Sequence, residues 1–489
     1  MAVRYVKSMA QYLVTKAGGR VQLLWGDACE VVKVGSKDSV VRARGVEGRI
    51  GNQHLGDESL LELYVIDVGQ GDGVLMKTPD GRWHLIDAGI ASEDQDTKKG
   101  APNFLRWKFL TDLGQTAVTL NNVIMTHADY DHYGGLINVL GGRLPAAGSR
   151  PERTFAVSVD NLYHNGMGRF RGADPLGQTR SGSVVPFPRG HRGIDRDGTF
   201  ITELLNGKDD FRNPARPFDG DFARCAALVG KVPKHVSRLS AADEYLPGYR
   251  PEQGASVIRV LGPIAERLDA DAVGLRDLGS ASVTRNGHSV VMRVEYGACR
   301  ILLTGDLNTA AQRLLLSYVS NDEFSADVAK GCHHGSDDID LEFVKAMAAR
   351  ATVISSGDNE SYAHPRPRVL GASARYGRES LAPDGAVQPP LLYSTELARS
   401  VALGYADAFE FDYQSGDKKA VAKVKPAAAR FDPPGKGKAL RPLGQTPLAL
   451  DLVYGLVNVR TDGNLVLVAT MRESGNQFEY QVFRAGVSP

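Results

Sequence analysis

The feature that most constrains this chain is a short apolar run that leads directly into a cluster of metal-binding side chains. Asn122-Val123-Ile124-Met125 has the character of a buried strand, and Thr126-His127-Ala128-Asp129-Tyr130-Asp131-His132 follows at once, ahead of Gly134-Gly135. Strand ends are where a rigid scaffold presents chemistry to solvent. Two imidazoles and two carboxylates fall within six residues. Carboxylates packed so closely repel one another and demand positive charge, which divalent cations held by mixed nitrogen and oxygen ligands supply. The plainer alternative is a solvated polar loop whose aspartates cap a helix.

Two further apolar runs end in the same way. Ile301-Leu302-Leu303-Thr304-Gly305-Asp306 closes on an aspartate, and Ala326-Asp327-Val328-Ala329 leads into Cys332-His333-His334-Gly335-Ser336. Near the front, Leu61 opens a strand that ends in Asp67-Val68-Gly69-Gln70-Gly71-Asp72-Gly73. A hairpin around Pro79-Asp80-Gly81 then brings the chain to Leu85-Ile86-Asp87-Ala88-Gly89. Asp87 is expected to orient the metal loop through hydrogen bonds.

Around these motifs the chain divides into three parts. Residues 1–58 carry short alternations broken by glycine and charge and are expected to form an accessory SH3-like small β-barrel. Residues 59–388 form the main domain, with an insertion at about 141–254. Helices are expected at 103–113, from 136, at 219–229, 308–317 and 341–349, and a helix-like stretch at 199–205. Arg169, Arg171, Arg180, Arg189 and Arg192 would give the insertion a positive wall suited to an anionic substrate, the plainer reading of any one of them being a scattered surface arginine. Residues 389–489 are a C-terminal extension: a linker or mobile loop over 418–441, then closing strands at 448–457 and 465–471.

The chain has 58 basic and 57 acidic residues, so no global field recruits nucleic acid and such a substrate would need a local basic groove. Cys29, Cys225, Cys299 and Cys332 fall into no CxxC pair, which points to reduced thiols in the cytoplasm. Cys332 is read as a buried strand residue. Neither a signal-peptide core nor a long apolar segment is evident, so the expectation is a soluble protein without a membrane partner.

His127-x-Asp129-x-Asp131-His132, Thr304-Gly305-Asp306 and His333-His334-Gly335-Ser336 together resemble the metallo-β-lactamase superfamily. Within it, Asp67-Val68-Gly69-Gln70-Gly71-Asp72, Leu85-Ile86-Asp87-Ala88-Gly89, the aspartate in place of the middle histidine, and Tyr362-Ala363-His364-Pro365 resemble the metallo-β-lactamase domain of ComEC-type competence proteins. The resemblance covers about 61–370, the insertion excepted. It implies a four-layer α/β-β/α sandwich with two divalent metal ions at one edge. His127 and Asp129 would hold one ion, Asp131 and His132 the other, with Asp306 bridging and His333 a further ligand. Alternate residues leaving a strand point the same way, which lets His127, Asp129 and Asp131 converge, and one carboxylate can span cations roughly 3.5 to 4 Å apart. His334, beside a ligand, is expected to point elsewhere, toward substrate phosphate or into packing. Asp72, His288 and Ser336 are placed with it around the ligands.

The superfamily's further histidine, in a Gly-His-Thr-Pro-Gly type turn, is replaced here by Thr284-Arg285-Asn286-Gly287-His288-Ser289, and His288, Asn286 or His164 are the candidates for that corner. A ligand set rich in carboxylate makes manganese an alternative to zinc. The resemblance implies a metal-dependent hydrolase, a phosphodiesterase or nuclease in which a metal-bound hydroxide, held by Asp131, attacks phosphorus. His364 would donate to a phosphate oxygen or protonate the leaving alkoxide. The rival readings are hydrolysis of a small phosphoester or cyclic nucleotide, and a binding or assembly protein whose N-terminal barrel or C-terminal extension recognises a protein partner.

Overall fold

The computed structural model describes residues 2–95, 100–146, 151–186, 194–268, 272–357, 362, 364–396, 402–412, 421–426, 438–451, 455–471 and 477–486. Arg189, Arg192 and most of the 418–441 stretch lie outside the described residues.

Period-two alternation builds the centre of the molecule. Leu61, Leu63 and Val65 of strand Leu61–Val65 enter one core while Tyr64 enters another, and Ile124 parts from Val123 and Met125 in the same manner. The first core is shared with a second sheet, whose Ile301, Leu303, Val328 and Val353 face the same interior. Leu302, Ala329 and Ile354 of that sheet turn outward onto Ala311, Leu314, Phe343 and Val369 of three helices. On the far side of the first sheet, Leu85, Val123 and Met125 pack against Leu105, Leu136, Val139 and Phe222. Helix, sheet, sheet and helix thus stack in four layers. Each fully buried leucine or valine contributes about 1.5 to 3 kcal/mol, so this interior can carry mutually repelling charges at its rim.

The first sheet runs His235–Arg238, Ala156–His164, Ala117–Met125, Trp83–Ile86, Val74–Lys77, Leu61–Val65, Val457–Thr461, Leu465–Met471, Phe478–Arg484. Three C-terminal strands therefore complete a sheet begun near residue 61, Val457 pairing with Val65 and Thr461 with Leu61. The second sheet runs Ser256–Gly262, Val291–Tyr296, Cys299–Leu303, Val328–Lys330, Ala351–Ile354, Leu391–Ser394. Parallel pairing of Trp83–Ile86 with Ala117–Met125 delivers Asp87 and His127 to one rim. Parallel pairing of Cys299–Leu303, Val328–Lys330 and Ala351–Ile354 delivers Asp306, His334 and Ser355 together. Val290 N donates to Thr126 O at 3.0 Å, which ties the two rims to each other.

Several local expectations are corrected. The helix after the metal loop starts inside it, at Tyr130–Gly141 rather than near 136. Residues 199–205 are not helical: Asp197–Ile201 is a strand, as β-branched Thr199 and Ile201 flanking Phe200 favour. Cys332 lies in a 3₁₀ turn, Cys332–Gly335, beyond the end of strand Val328–Lys330. Within the stretch expected as a linker, Val421–Pro426 and the start of Lys438–Asp451 are strands.

The N-terminal strands order as Arg20–Leu24, Ala10–Thr15, Val46–Gly51, Asp38–Ala43, Ala28–Lys33, Val3–Val6, Leu55–Gly56. Among the described residues no pairing joins the two outer strands, so the unit is an open antiparallel ladder and not a closed barrel. Its own core is Leu13, Leu23, Cys29, Val41 and Ile50. Leu24 and Trp25 pack against Leu467, Ala469 and Phe478 of the closing strands. There the buried Arg460 donates to Trp25 O at 2.7 Å and pairs with Asp27 at 2.8 Å. Among the described residues no helix is long and apolar enough to cross a membrane.

Candidate metal centre

At the shared rim, Asp131, His132, Asp306 and His334 bring one ligand atom each to within 4.8 Å of one another. Two imidazoles are fixed in matching ways. Nδ1 of His132 lies 2.7 Å from Asp87 Oδ2, and Nδ1 of His334 lies 3.1 Å from Ser355 O. A ring that donates from Nδ1 keeps its lone pair on Nε2. Nε2 of His132 is 3.1 Å from Asp306 Oδ2, and Nε2 of His334 is 2.9 Å from the same oxygen and 3.5 Å from Asp131 Oδ2.

Among the described residues, His132 Nε2, His334 Nε2, Asp72 Oδ1 and Asp306 Oδ1 are buried and make ion-pair contacts there in place of well-aligned hydrogen bonds. Nitrogen and oxygen donors packed this closely are what a divalent cation requires. The residues therefore fit a divalent ion, where the resemblance implies two. Protons and cations compete for the same place. Burial disfavours charge on His132 and His334, but Asp306 with Asp87 on one ring and Asp306 with Asp72 on the other outweigh it and hold both imidazoles well above their usual range. Burial raises the Asp306 carboxyl, yet His132, His334 and His333 hold it well below the usual range. Binding of a cation would displace these protons.

The surrounding backbone is built for close approach. Gly71 has φ +96, and an added Cβ would sit 1.6 Å from Asp131 O, so only glycine admits the loop to the helix start. Asp87 accepts from Thr126 N at 2.8 Å and from Thr126 Oγ1 at 2.6 Å while holding His132. Ser289 Oγ accepts from Asp306 N at 2.9 Å, fixing the aspartate from the neighbouring strand.

The remaining sequence-derived residues divide. Asp72 reaches the cluster, 3.2 Å from His334 Nδ1 and in contact with Lys330. His333 stands farther off than expected, its Nε2 3.9 Å from Asp306 Oδ2, while His334 does not point away. The alternation argument fails there because His333 and His334 have φ of 46° and 53°, a left-handed turn rather than an extended strand. His127 is fully buried, its ring centroid 4.0 Å from that of His132, and its Nδ1 faces the hydroxyls of Thr126 and Ser289 at 3.1 and 3.3 Å. Asp129 turns to Arg285 and Arg169 at 2.6 and 3.2 Å. His288 faces Arg276 O at 2.7 Å and stays out of the cluster, as does His164, whose Nδ1 accepts from Gly166 N. Ser336 Oγ accepts from Asp338 N. His364 is buried at the same rim, its ring stacked 5.7 Å from Tyr362 and 6.1 and 6.4 Å from His333 and His334.

Lys330 escaped the motif reading. Its Nζ donates to Gly305 O at 2.9 Å, contacts Asp72 and lies 3.6 Å from Asp306 Oδ1. The signal was a lysine at the end of a strand otherwise buried, a position that lysine takes only when paired. Arg285 and Asn286 were seen only as an irregular stand-in for a missing histidine.

A sequence model of the Metallo-beta-lactamase superfamily matches residues 66–173. ComE operon protein 3 of Bacillus subtilis (strain 168) is 32% identical over 135 residues, which cover 27% of this chain and 17% of that protein. Competence protein ComA of Neisseria gonorrhoeae is 32% identical over 117 residues, 23% of this chain and 17% of that one. The chain thus spans less than a fifth of the length of these relatives. Among solved structures, Tm1679, a metal-dependent hydrolase of the beta-lactamase superfamily, aligns over 69% of this chain and 96% of its own at 13% identity, with a TM-score of 0.31. The chain carries a metallo-beta-lactamase superfamily domain, homologous in part to the two competence proteins.

Proposed function

We propose that this protein is a metal-dependent phosphodiesterase or nuclease. The observation that carries the reading is the convergence of Asp131, His132, Asp306 and His334, with each imidazole held from behind by an acceptor on Nδ1. These four would hold the ion, zinc or manganese, since two oxygen and two nitrogen donors suit either. When bound, such an ion polarises a phosphoryl oxygen and brings the pKa of water from 15.7 toward about 7.

The chain's own groups do the rest. Asp131, the partly exposed member of the quartet, is also suited to accept a hydrogen bond from the attacking water and orient it. Lys330 and Asp72 fix the deep side of Asp306 and His334. His364, beside His333, is the group placed to protonate the departing oxygen. The partly exposed Arg169 favours an anionic substrate, and its planar N–H pairs match the oxygens of a phosphodiester. Nucleic acid is the leading substrate class, in keeping with the motif resemblance to competence proteins. We place the protein in the cytoplasm, where its four buried free thiols would stay reduced, and assign partner recognition to the N-terminal ladder or the C-terminal extension.

A metal-supplemented screen tests this reading across single- and double-stranded DNA, RNA, cyclic dinucleotides and a chromogenic phosphodiester. Turnover of at least one phosphodiester that vanishes with chelator and returns with manganese or zinc is expected. Cleavage of a lactam or thioester alone, or chelator-resistant activity, would contradict it.

A further inference from the structure

Resting on that reading, the structure carries a more specific assignment. We propose that Asp129 is not a metal ligand but the anchor of an anion clamp, in which Arg285 and Arg169 receive the phosphoryl oxygens of the substrate beside the metal centre.

The geometry begins at the helix start. Asp129 is the residue before helix Tyr130–Gly141, where the chain leaves its strand, so its side chain departs from the direction that Asp131 and His132 take. Its Oδ1 accepts from Arg285 Nε at 2.6 Å and from Arg169 at 3.2 Å. With its amide nitrogen turned to the carboxylate, Asn286 donates to Oδ2 at 2.6 Å. Both oxygens are thus engaged by this chain. A divalent ion on Asp129 would have to sit against two guanidiniums, which the ion's own charge opposes. Asp129 does not belong to the converging quartet.

Charge decides between a clamp and mere neutralisation. One guanidinium balances one carboxylate. Two leave a surplus positive charge, and the Arg169 side chain keeps 29% of its surface exposed, so that charge is open to a ligand. Arg285, 9% exposed, lies in helix Ala281–Gly287. The pair is linked to the quartet through two side chains: the far end of the Asn286 amide is 3.3 Å from His333 Nε2, and that nitrogen is 3.9 Å from Asp306. Guanidiniums present paired N–H groups that match the oxygens of a phosphodiester, and they stabilise the charge that builds on phosphorus in the transition state. Asp129 is then a positioning residue, and the arginines touch the substrate.

The test counts metal and measures anion binding. Wild-type protein stripped with chelator, reloaded with manganese or zinc and desalted is expected to keep bound metal, and Asp129→Asn is expected to keep the same number of ions per chain. Binding of inorganic phosphate to the reloaded protein, followed by calorimetry, should weaken about tenfold or more in Arg285→Gln and in Arg169→Gln with metal content unchanged. Arg169 is partly exposed and leaves the Arg285 pair in place, so its variant remains informative where Arg285→Gln does not fold. Two ions in the wild type falling to one in Asp129→Asn would overturn the proposal, as would unchanged phosphate affinity in the arginine variants. A wild type that keeps no ion would instead overturn the functional reading beneath it.

Discussion

Asp87 Oδ2 lies 2.7 Å from His132 Nδ1, and on the opposite side of that ring Nε2 stands 3.1 Å from Asp306 Oδ2. The carboxylate thereby fixes both the tautomer and the direction of the imidazole. Asp87→Asn should lower metal affinity by about 10 to 100-fold, because the amide can present its nitrogen to Nδ1 and undo the tautomer. Competition with a chromogenic chelator measures this. An affinity equal to the wild type would remove Asp87 from the support of the site.

Asp306 is the oxygen donor on which both imidazoles converge. Asp306→Asn keeps the shape and loses the charge, so it should abolish metal retention and turnover, and the melting temperature of the chelator-treated protein should fall, since His132 and His334 lose the carboxylate they share. A variant with full metal content and normal turnover would remove Asp306 from the centre.

His364→Ala is expected to reduce turnover by about a hundredfold with metal content intact. Loss of metal in this variant would make the histidine a ligand. Normal kinetics would reduce it to a packing partner of Tyr362.

Much of this architecture is legible in residue pattern. Asn122-Val123-Ile124-Met125 and Ile301-Leu302-Leu303 place their buried strands and the acidic ends that follow them. What pattern misses has two physical origins. Strand alternation was extended past the point where the backbone turns: helix Tyr130–Gly141 redirects Asp129 from Asp131, and the left-handed pair His333 and His334 puts the unexpected ring into the quartet. The other origin is distance along the chain. Asp129 finds Arg169 forty positions on and Arg285 156 positions on, and Leu61–Val65 finds its edge partner at Val457–Thr461. No local window contains both members of such a pair.

Asp27 gives the junction between the N-terminal ladder and the closing strands a pH dependence. Burial raises its carboxyl, but Arg44 and Arg460, at 2.8 Å each, outweigh burial and hold it well below the model-peptide value of 3.8. A carboxyl lowered on folding binds fewer protons in the folded than in the unfolded chain. Its contribution is therefore complete above about pH 4 and is lost as pH falls through the folded value. Asp27→Ala should destabilise by about 3 to 5 kcal/mol at neutral pH by taking the shared carboxylate from the buried Arg460 and the half-buried Arg44. Denaturant melts of both proteins from pH 7 to pH 3 should show the gap narrowing toward the acid end. A gap that is constant across that range would contradict the assignment.

The most direct test of the metal centre is the metal content of His334→Ala after chelator treatment and reloading with manganese or zinc, read by elemental analysis on the folded protein. The account predicts that the wild type keeps its ion and that this variant loses it together with phosphodiester turnover, because His334 Nε2 is one of the four donors. A folded His334→Ala protein with full metal content and normal turnover would contradict it.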